Sequence, residues 1–204
     1  MNIKIYNNDL PSDLDLSGEK VVALDNEALG LVLGRDPLTL VQIGLKNNNF
    51  YLVKLNRETY EAPNLTKFLS DTNIEFIMHY ARQDLLWLKY HLNAEPKKIF
   101  CTKLASKIAR TASQYHGYKE LVKEMCGKDI SKKEQQSDWG NPNLTDKQIN
   151  YAAQDTQFLF QIKNKLIEML TRENRIKLFE RCMGAIPILV DMEMSGYKIS
   201  TFDH

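Results

Sequence analysis

An α/β fold, with a sheet in the first half of the chain and a helical layer in the second, is what the sequence predicts. Three observations carry it. Short β-rich apolar runs fill the stretch up to Met78. From Arg82 onward the apolar residues recur at helical spacing. Polar turns and a capping pair mark where elements begin and end. In order, residues 20–24 form a first apolar run that ends on an acid, and 38–45 form a second. Asn47, Asn48 and Asn49 suit a hairpin turn into a strand over 50–55. A short helix is expected over 64–70, a strand over 74–78 and a helix over 82–92. Leu104, Ala105 and Ile108 share a face of a helix over 102–111, and Leu121, Val122 and Met125 share one over 118–125. Thr145 and Gln148 fit a capping box that opens one long helix carrying Ile149, Ala152, Ala153, Leu159, Ile162 and Leu166. A last helix covers roughly 173–195, kinked or divided at Pro187 and stopped by Gly196.

The 204 residues suffice for one sizeable core and are short for two, so a single domain over 1–204 is expected. With 43% hydrophobic and 26% charged residues, the composition is that of a folded globular protein and excludes a disordered chain. A net charge of +1 says nothing about an anionic partner. Three cysteines (Cys101, Cys126 and Cys182) without paired spacing argue against a disulfide framework or a zinc site and fit a reducing cytoplasm. The first twenty or so residues lack the apolar stretch of a secretion signal. No apolar run approaches the roughly 20 residues that a membrane span needs.

The chemistry lies in acids on three separate segments. Asp25 and Glu27 follow the first strand, and backbone alternation sends both to one side. Two such carboxylates repel unless a cation lies between them or one takes a proton. Taken alone, the pair is an ordinary acidic turn. Asp84 falls in the first turn of a helix, where the helix dipole favours an acid without any function. It follows the strand-to-helix turn of His79 to Arg82, and such turns are where α/β folds place ligands. Tyr151 and Asp155, four apart, share a helix face in apolar surroundings, where a carboxylate needs a cation or hydrogen bonds. Together the four acids offer the all-oxygen ligand set that hard divalent cations prefer. A pair of such cations supports phosphodiester hydrolysis.

Asp25-x-Glu27, His79-x-x-x-x-Asp84 and Tyr151-x-x-x-Asp155 resemble, in order and spacing, the three exonuclease motifs of the DEDDy group. That group includes ribonuclease D and the proofreading domains of family A DNA polymerases. The chain is similar, more narrowly, to the small stand-alone nano-RNase C (NrnC) group. The stretches that carry this are 29–43, 99–110, Tyr115-His116-Gly117 leading into Lys119-Glu120-Leu121, and Ser137-Asp138-Trp139. The resemblance implies a ribonuclease H-like exonuclease fold, α/β with a mixed central sheet and a helical C-terminal half. It implies two divalent cations, Mg²⁺ or Mn²⁺, held by Asp25, Glu27, Asp84 and Asp155, with Tyr151 orienting the attacking water. Leu31 would wedge against the terminal bases and His79 would contact a substrate phosphate. The implied substrate is short RNA, down to dinucleotides, released as nucleoside 5′-monophosphates. The implied assembly is a homo-oligomer, an octameric ring, in the cytoplasm. The helical C-terminal domains of full-length ribonuclease D are not expected. Relatives usually read Asp-Thr-Glu-Thr where this chain has Asp25-Asn26-Glu27-Ala28, so the acids persist while two hydroxyls that bear on the 3′-terminal nucleotide are lost.

Residues 97–133 carry a local balance of +7. Lys103, Lys107 and Arg110 fall at i, i+4 and i+7. The stripe suits a phosphate backbone, an acidic patch on a neighbouring subunit, or simply solvent. Trp87 and Trp139 read as packing residues, and His91 and His116 as structural. Residues 187–200 are similar to the join between exonuclease and polymerase domains, but a terminal amphipathic helix at an interface is the preferred reading. Trimming of structured RNA, DNA exonuclease activity, and a non-catalytic nucleic-acid-binding module are the competing functions. The intact acids and Tyr151 speak against the last.

Overall fold

The computed structural model describes residues 1–131 and 133–197. Lys132 and the end of the 187–200 segment lie outside the described residues. Six strands form one mixed sheet: β1 (Asn2–Asn7), β2 (Val21–Ala28), β3 (Leu38–Gly44), β4 (Asn49–Lys54), β5 (Glu75–Met78) and β6 (Lys98–Cys101), in the order β1-β4-β3-β2-β5-β6. β2 runs antiparallel to β3 and parallel to β5. Among the described residues seven α-helices accompany them: α1 (Pro63–Leu69), α2 (Ala81–Leu92), α3 (Thr102–Ala109), α4 (Tyr118–Leu121), α5 (Asp146–Gln157), α6 (Leu159–Arg172) and α7 (Ile176–Met194). No helix among the described residues is long and apolar enough to cross a membrane.

The apolar pattern explains the layering. Every residue of β3 is buried, as befits a central strand covered on both faces. The larger core packs Val22, Leu24, Val41 and Ile43 with Trp87, Leu88 and Phe76. A smaller cluster of Leu40, Leu52, Trp139 and Ala152 seats α5 on the other face. Thr145 and Gln148 form the expected capping box at the start of α5.

Several expectations are corrected. Asp25 and Glu27 lie within β2, which runs on to Ala28 rather than ending before them. β1 and β6 were not expected, and both are edge strands. The single long helix from Thr145 is two, because the hydrogen-bond ladder is interrupted at Phe158, which stays near the helical region at φ −99° and ψ −1°. There the Tyr118 hydroxyl donates to the Gln154 carbonyl at 2.7 Å and accepts from the Phe158 N–H at 3.3 Å, satisfying backbone groups that a continuous helix would have paired internally. The helix over 118–125 closes as α4 and continues as a wider π-type turn over Val122–Cys126. α7 passes through Pro187 undivided. It ends where Gly196 takes φ +83°, with the Gly196 and Tyr197 N–H groups donating back to Glu193 and Met192.

α5 approaches the sheet closely at Gly44. A Cβ there would lie 2.7 Å from Thr156 Oγ1 and 2.9 Å from its Cβ, both too near the helix backbone to swing aside. Gly44→Ala should therefore push α5 outward and cost about 1–3 kcal/mol of stability. Equilibrium denaturation measures it, and an unchanged midpoint would show that this approach is not a constraint.

Candidate active site

Three elements bring the acids together. On β2, Asp25 pairs with Gln42 and Glu27 with Leu40, so both acids lie on the sheet face that α5 covers. A register shift just beyond Glu27 leaves Thr39 unpaired in the ladder, and its hydroxyl donates to the Glu27 carbonyl at 2.9 Å. α5 lowers Asp155 onto this face, and carboxylate oxygens of Asp25, Glu27 and Asp155 all lie within 4.8 Å of one another. Asp84 enters from the first turn of α2, is buried, and is hydrogen-bonded to Asp25. The turn before it is tight, with Tyr80 in left-handed conformation at φ 71°. Asn26 donates to the Asp84 backbone carbonyl at 3.2 Å and ties α2 to β2.

Four acids at this spacing cannot all be ionised without compensation. Burial raises the Asp25 carboxyl to about 7, against the hydrogen bonds from the Asn26 backbone and Asp84 that lower it. Burial, and then the charges of Asp25 and Asp155, push Glu27 well above its usual range. Asp84 is raised by burial first and then by the charge of Asp25. Tyr151 donates to Asp155, and burial with that neighbouring charge holds its phenol protonated. The Oδ2 of Asp84 is buried without a hydrogen-bond partner. An all-oxygen donor set, an orphaned buried oxygen and carboxyls that resist ionisation fit divalent metal ions.

The acids sit where two cavities meet. One, of about 540 Å³, is lined by Asp25, Glu27, Leu31, Gln83, Trp139 and Tyr151. The other, of about 280 Å³, is lined by Asp25, His79, Tyr80, Lys103, Lys119 and Tyr151. Leu31 stands 80% exposed on the rim of the first. His79 lies in the second, its Nδ1 2.9 Å from the Thr102 hydroxyl. Lys103 reaches it too, with Nζ 4.0 Å above the Tyr80 ring.

The rest of the basic stripe does not converge there. Lys107 is exposed further along α3. Arg110 lies just past the end of that helix and is turned inward, bound to Ser106, the Tyr115 carbonyl and Glu124. Sequence reasoning missed Tyr118, which fixes the end of α5 one turn from Asp155, and the Gln135 side of the cleft, which borders both cavities. Neither sits in a spaced motif, and only the fold brings them near. Trp87 and Trp139 are buried as packing residues. His116 bonds Ser106 and the Ser113 carbonyl, a structural role.

The 3′-5′ exonuclease family profile matches residues 4–171. Ribonuclease D of Gluconacetobacter diazotrophicus is 32% identical over 79% of this chain and 40% of its own length. Ribonuclease D of Xanthomonas oryzae is 36% identical over 55% of this chain and 31% of its own. The chain thus spans less than half the length of these curated relatives. The solved structure of Brucella melitensis NrnC with bound Mg²⁺ superposes with a TM-score of 0.90 at 37% identity, over 96% of this chain and 95% of that one. The same protein bound to pGG gives a TM-score of 0.91 over the same shares. The matched profile and these solved structures place the chain in the 3′-5′ exonuclease family, on its ribonuclease D-like, NrnC-type branch.

Proposed function

We propose that this chain is a 3′→5′ exoribonuclease that degrades short RNA, down to dinucleotides, to nucleoside 5′-monophosphates. The observation that carries this reading is the convergence of four carboxyls and the Tyr151 phenol at the junction of two cavities, one rimmed by an exposed leucine and the other by lysines. The likeness to a nuclease solved with pGG supports the short substrate. Asp25, Glu27, Asp84 and Asp155 would hold two divalent cations, Mg²⁺ or Mn²⁺, which supply water activation and stabilise the departing 3′-oxygen. Tyr151, kept protonated, holds a water by its hydroxyl. Leu31 packs against the terminal bases, while His79 and Lys103 meet phosphates in the smaller cavity. Lys107 would add contacts only for longer strands. Arg110, engaged with Glu124, would order the wall rather than the substrate.

The enzyme would be one domain working in the reducing cytoplasm as a homo-oligomer, the octameric ring that the resemblance implies. Leu178 and Ile188, exposed on α7, support self-association, and sedimentation measures it.

The experiment that tests the function is a length series. Wild type should cleave a labelled dinucleotide efficiently beside a 20-mer of RNA and of DNA. Added salt should penalise the 20-mer more, because its extra phosphates meet lysines. It should require a free 3′-hydroxyl and leave 5′-monophosphates. Indifference to the dinucleotide would replace this reading with trimming of longer RNA.

Asp155→Asn should fold and lose nearly all hydrolysis, since the missing ligand removes several kcal/mol of electrostatic stabilisation. Metal binding has an independent readout. Carboxyls raised by burial take up protons on folding, so the metal-free protein should lose stability as pH rises from about 5 to about 8. Mg²⁺ should restore the melting temperature at the upper end, and less so in Asp155→Asn. Equal melting temperatures with and without Mg²⁺ would count against the site.

Tyr151→Phe keeps the ring and its packing against Trp139, whose centroid is 5.9 Å away, but loses the hydroxyl. Turnover should fall roughly 10²-fold or more with Mg²⁺ affinity little changed. A normal rate would leave Tyr151 as a packing residue.

A further inference from the structure

The loop between β2 and β3 presents Leu31, and one carboxylate dictates its shape. Asp36 is 8% exposed. Its Oδ2 accepts from the Val32 N–H at 2.9 Å, and the Leu31 N–H also points to this carboxylate. Arg35 clamps it from the outside, Nε to Oδ1 at 2.7 Å and Nη2 to Oδ2 at 2.8 Å. Gly30 leaves the room, because a Cβ there would lie 2.1 Å from Asp36 Oδ2. The backbone closes the turn, with the Arg35 and Asp36 N–H groups both donating to the Val32 carbonyl. The Arg35 side chain, then the Val32 N–H, hold the Asp36 carboxyl down at about 2, so it stays charged under any working condition.

The same residue ties the loop to α2. His91 is hydrogen-bonded to the Asp36 backbone, a contact that opposes the larger effect of burial in lowering the imidazole pKa. Its ring is packed between Tyr60 and Tyr90, with centroids 4.5 and 4.9 Å away. His91 lies seven residues, about two turns, beyond Asp84 on α2. The loop that carries Leu31 is thereby fastened to the helix that carries Asp84 through the backbone of Asp36, while the Asp36 carboxylate holds the loop's own turn.

We propose that Asp36 is a positioning residue that sets Leu31 at a fixed place above the acids and so governs how the terminal bases of a short substrate are held. This rests on the reading of Leu31 as the wedge. A carboxylate that accepts from the Val32 N–H, with the Leu31 N–H turned toward it, fixes the backbone at the residue whose side chain must meet the bases, and the His91 contact keeps that backbone from shifting relative to Asp84.

The test uses full-length Asp36→Ala, Asp36→Asn, Leu31→Ala and the Asp36→Ala/Leu31→Ala pair, with a 5′-phosphorylated diguanosine dinucleotide as substrate. Asp36→Ala should raise KM about tenfold with kcat changed by less than about twofold, since the reacting groups are untouched. Asp36→Asn should recover part of the loss, because its amide oxygen still accepts from Val32. The pair should be no worse than Leu31→Ala alone, as expected if Asp36 acts through Leu31. Hydrogen exchange at the Leu31 and Val32 amides should accelerate in Asp36→Ala. Unchanged exchange there would overturn the anchoring. A fall in kcat with unchanged KM, or an additive pair, would overturn the positioning role. Leu31→Ala with normal KM, alongside accelerated exchange in Asp36→Ala, would instead overturn the wedge reading on which the proposal stands.

Discussion

Carboxylate crowding is the constraint on which the rest of this structure depends. Three carboxylate oxygens within 4.8 Å, backed by a buried fourth acid, form an arrangement that a protein optimised only for stability would discard. It persists because the four acids are mounted on three rigid supports. Asp25 and Glu27 belong to a strand hydrogen-bonded on both sides. Asp84 sits in the first turn of α2, whose backbone Asn26 ties to that strand. Asp155 rides on α5, seated on the sheet by Gly44 and the cluster around Leu40 and Trp139. The repulsion that results is what a bound cation would relieve, so the strain of the crowded acids and their pull on a cation have one origin.

The cleft around the acids divides by charge. The larger cavity takes its floor from the acids and its rim from Leu31, so it suits a base and sugar lying beside the metal site. The smaller takes Lys103, Lys119 and His79, so it suits phosphate. The two share Asp25, Tyr151 and Asp155. A scissile phosphate placed at that junction would be held from both sides by chemically different walls.

Much of this was legible in the sequence, and the reasons differ by residue. Asp25 and Glu27 were readable because alternation in a strand fixes which side they face, and Tyr151 with Asp155 because a helix puts i and i+4 together. The buried strands were readable from continuous apolar runs. β1 and β6 were not, since edge strands are covered less and carry polar residues such as Asn2, Lys4 and Lys98. The break at Phe158 has no glycine or proline to signal it, and the group that satisfies the opened backbone, the Tyr118 hydroxyl, is forty residues away. The surroundings of Arg110 were hidden for a similar reason. Spacing gave its angular position on a helix, but that helix stops at Ala109, and only tertiary contacts reveal that its guanidinium turns inward.

The interrupted helix has a mechanical meaning. Were α5 and α6 continuous, any load on the C-terminal helices would be transmitted along a stiff rod to Asp155. With the rod cut at Phe158 and the cut end pinned by one phenol, α5 is a short beam bedded on the sheet, its two ends held by the Thr145 capping box and Tyr118. α4, which carries Tyr118, runs straight into the wide turn over Val122–Cys126. Strain arriving along α6 thus reaches Asp155 through a single hydrogen-bonded hinge, whereas α7 is coupled straight to the Asp84 helix by the Arg82–Glu193 and Lys89–Asp191 ion pairs.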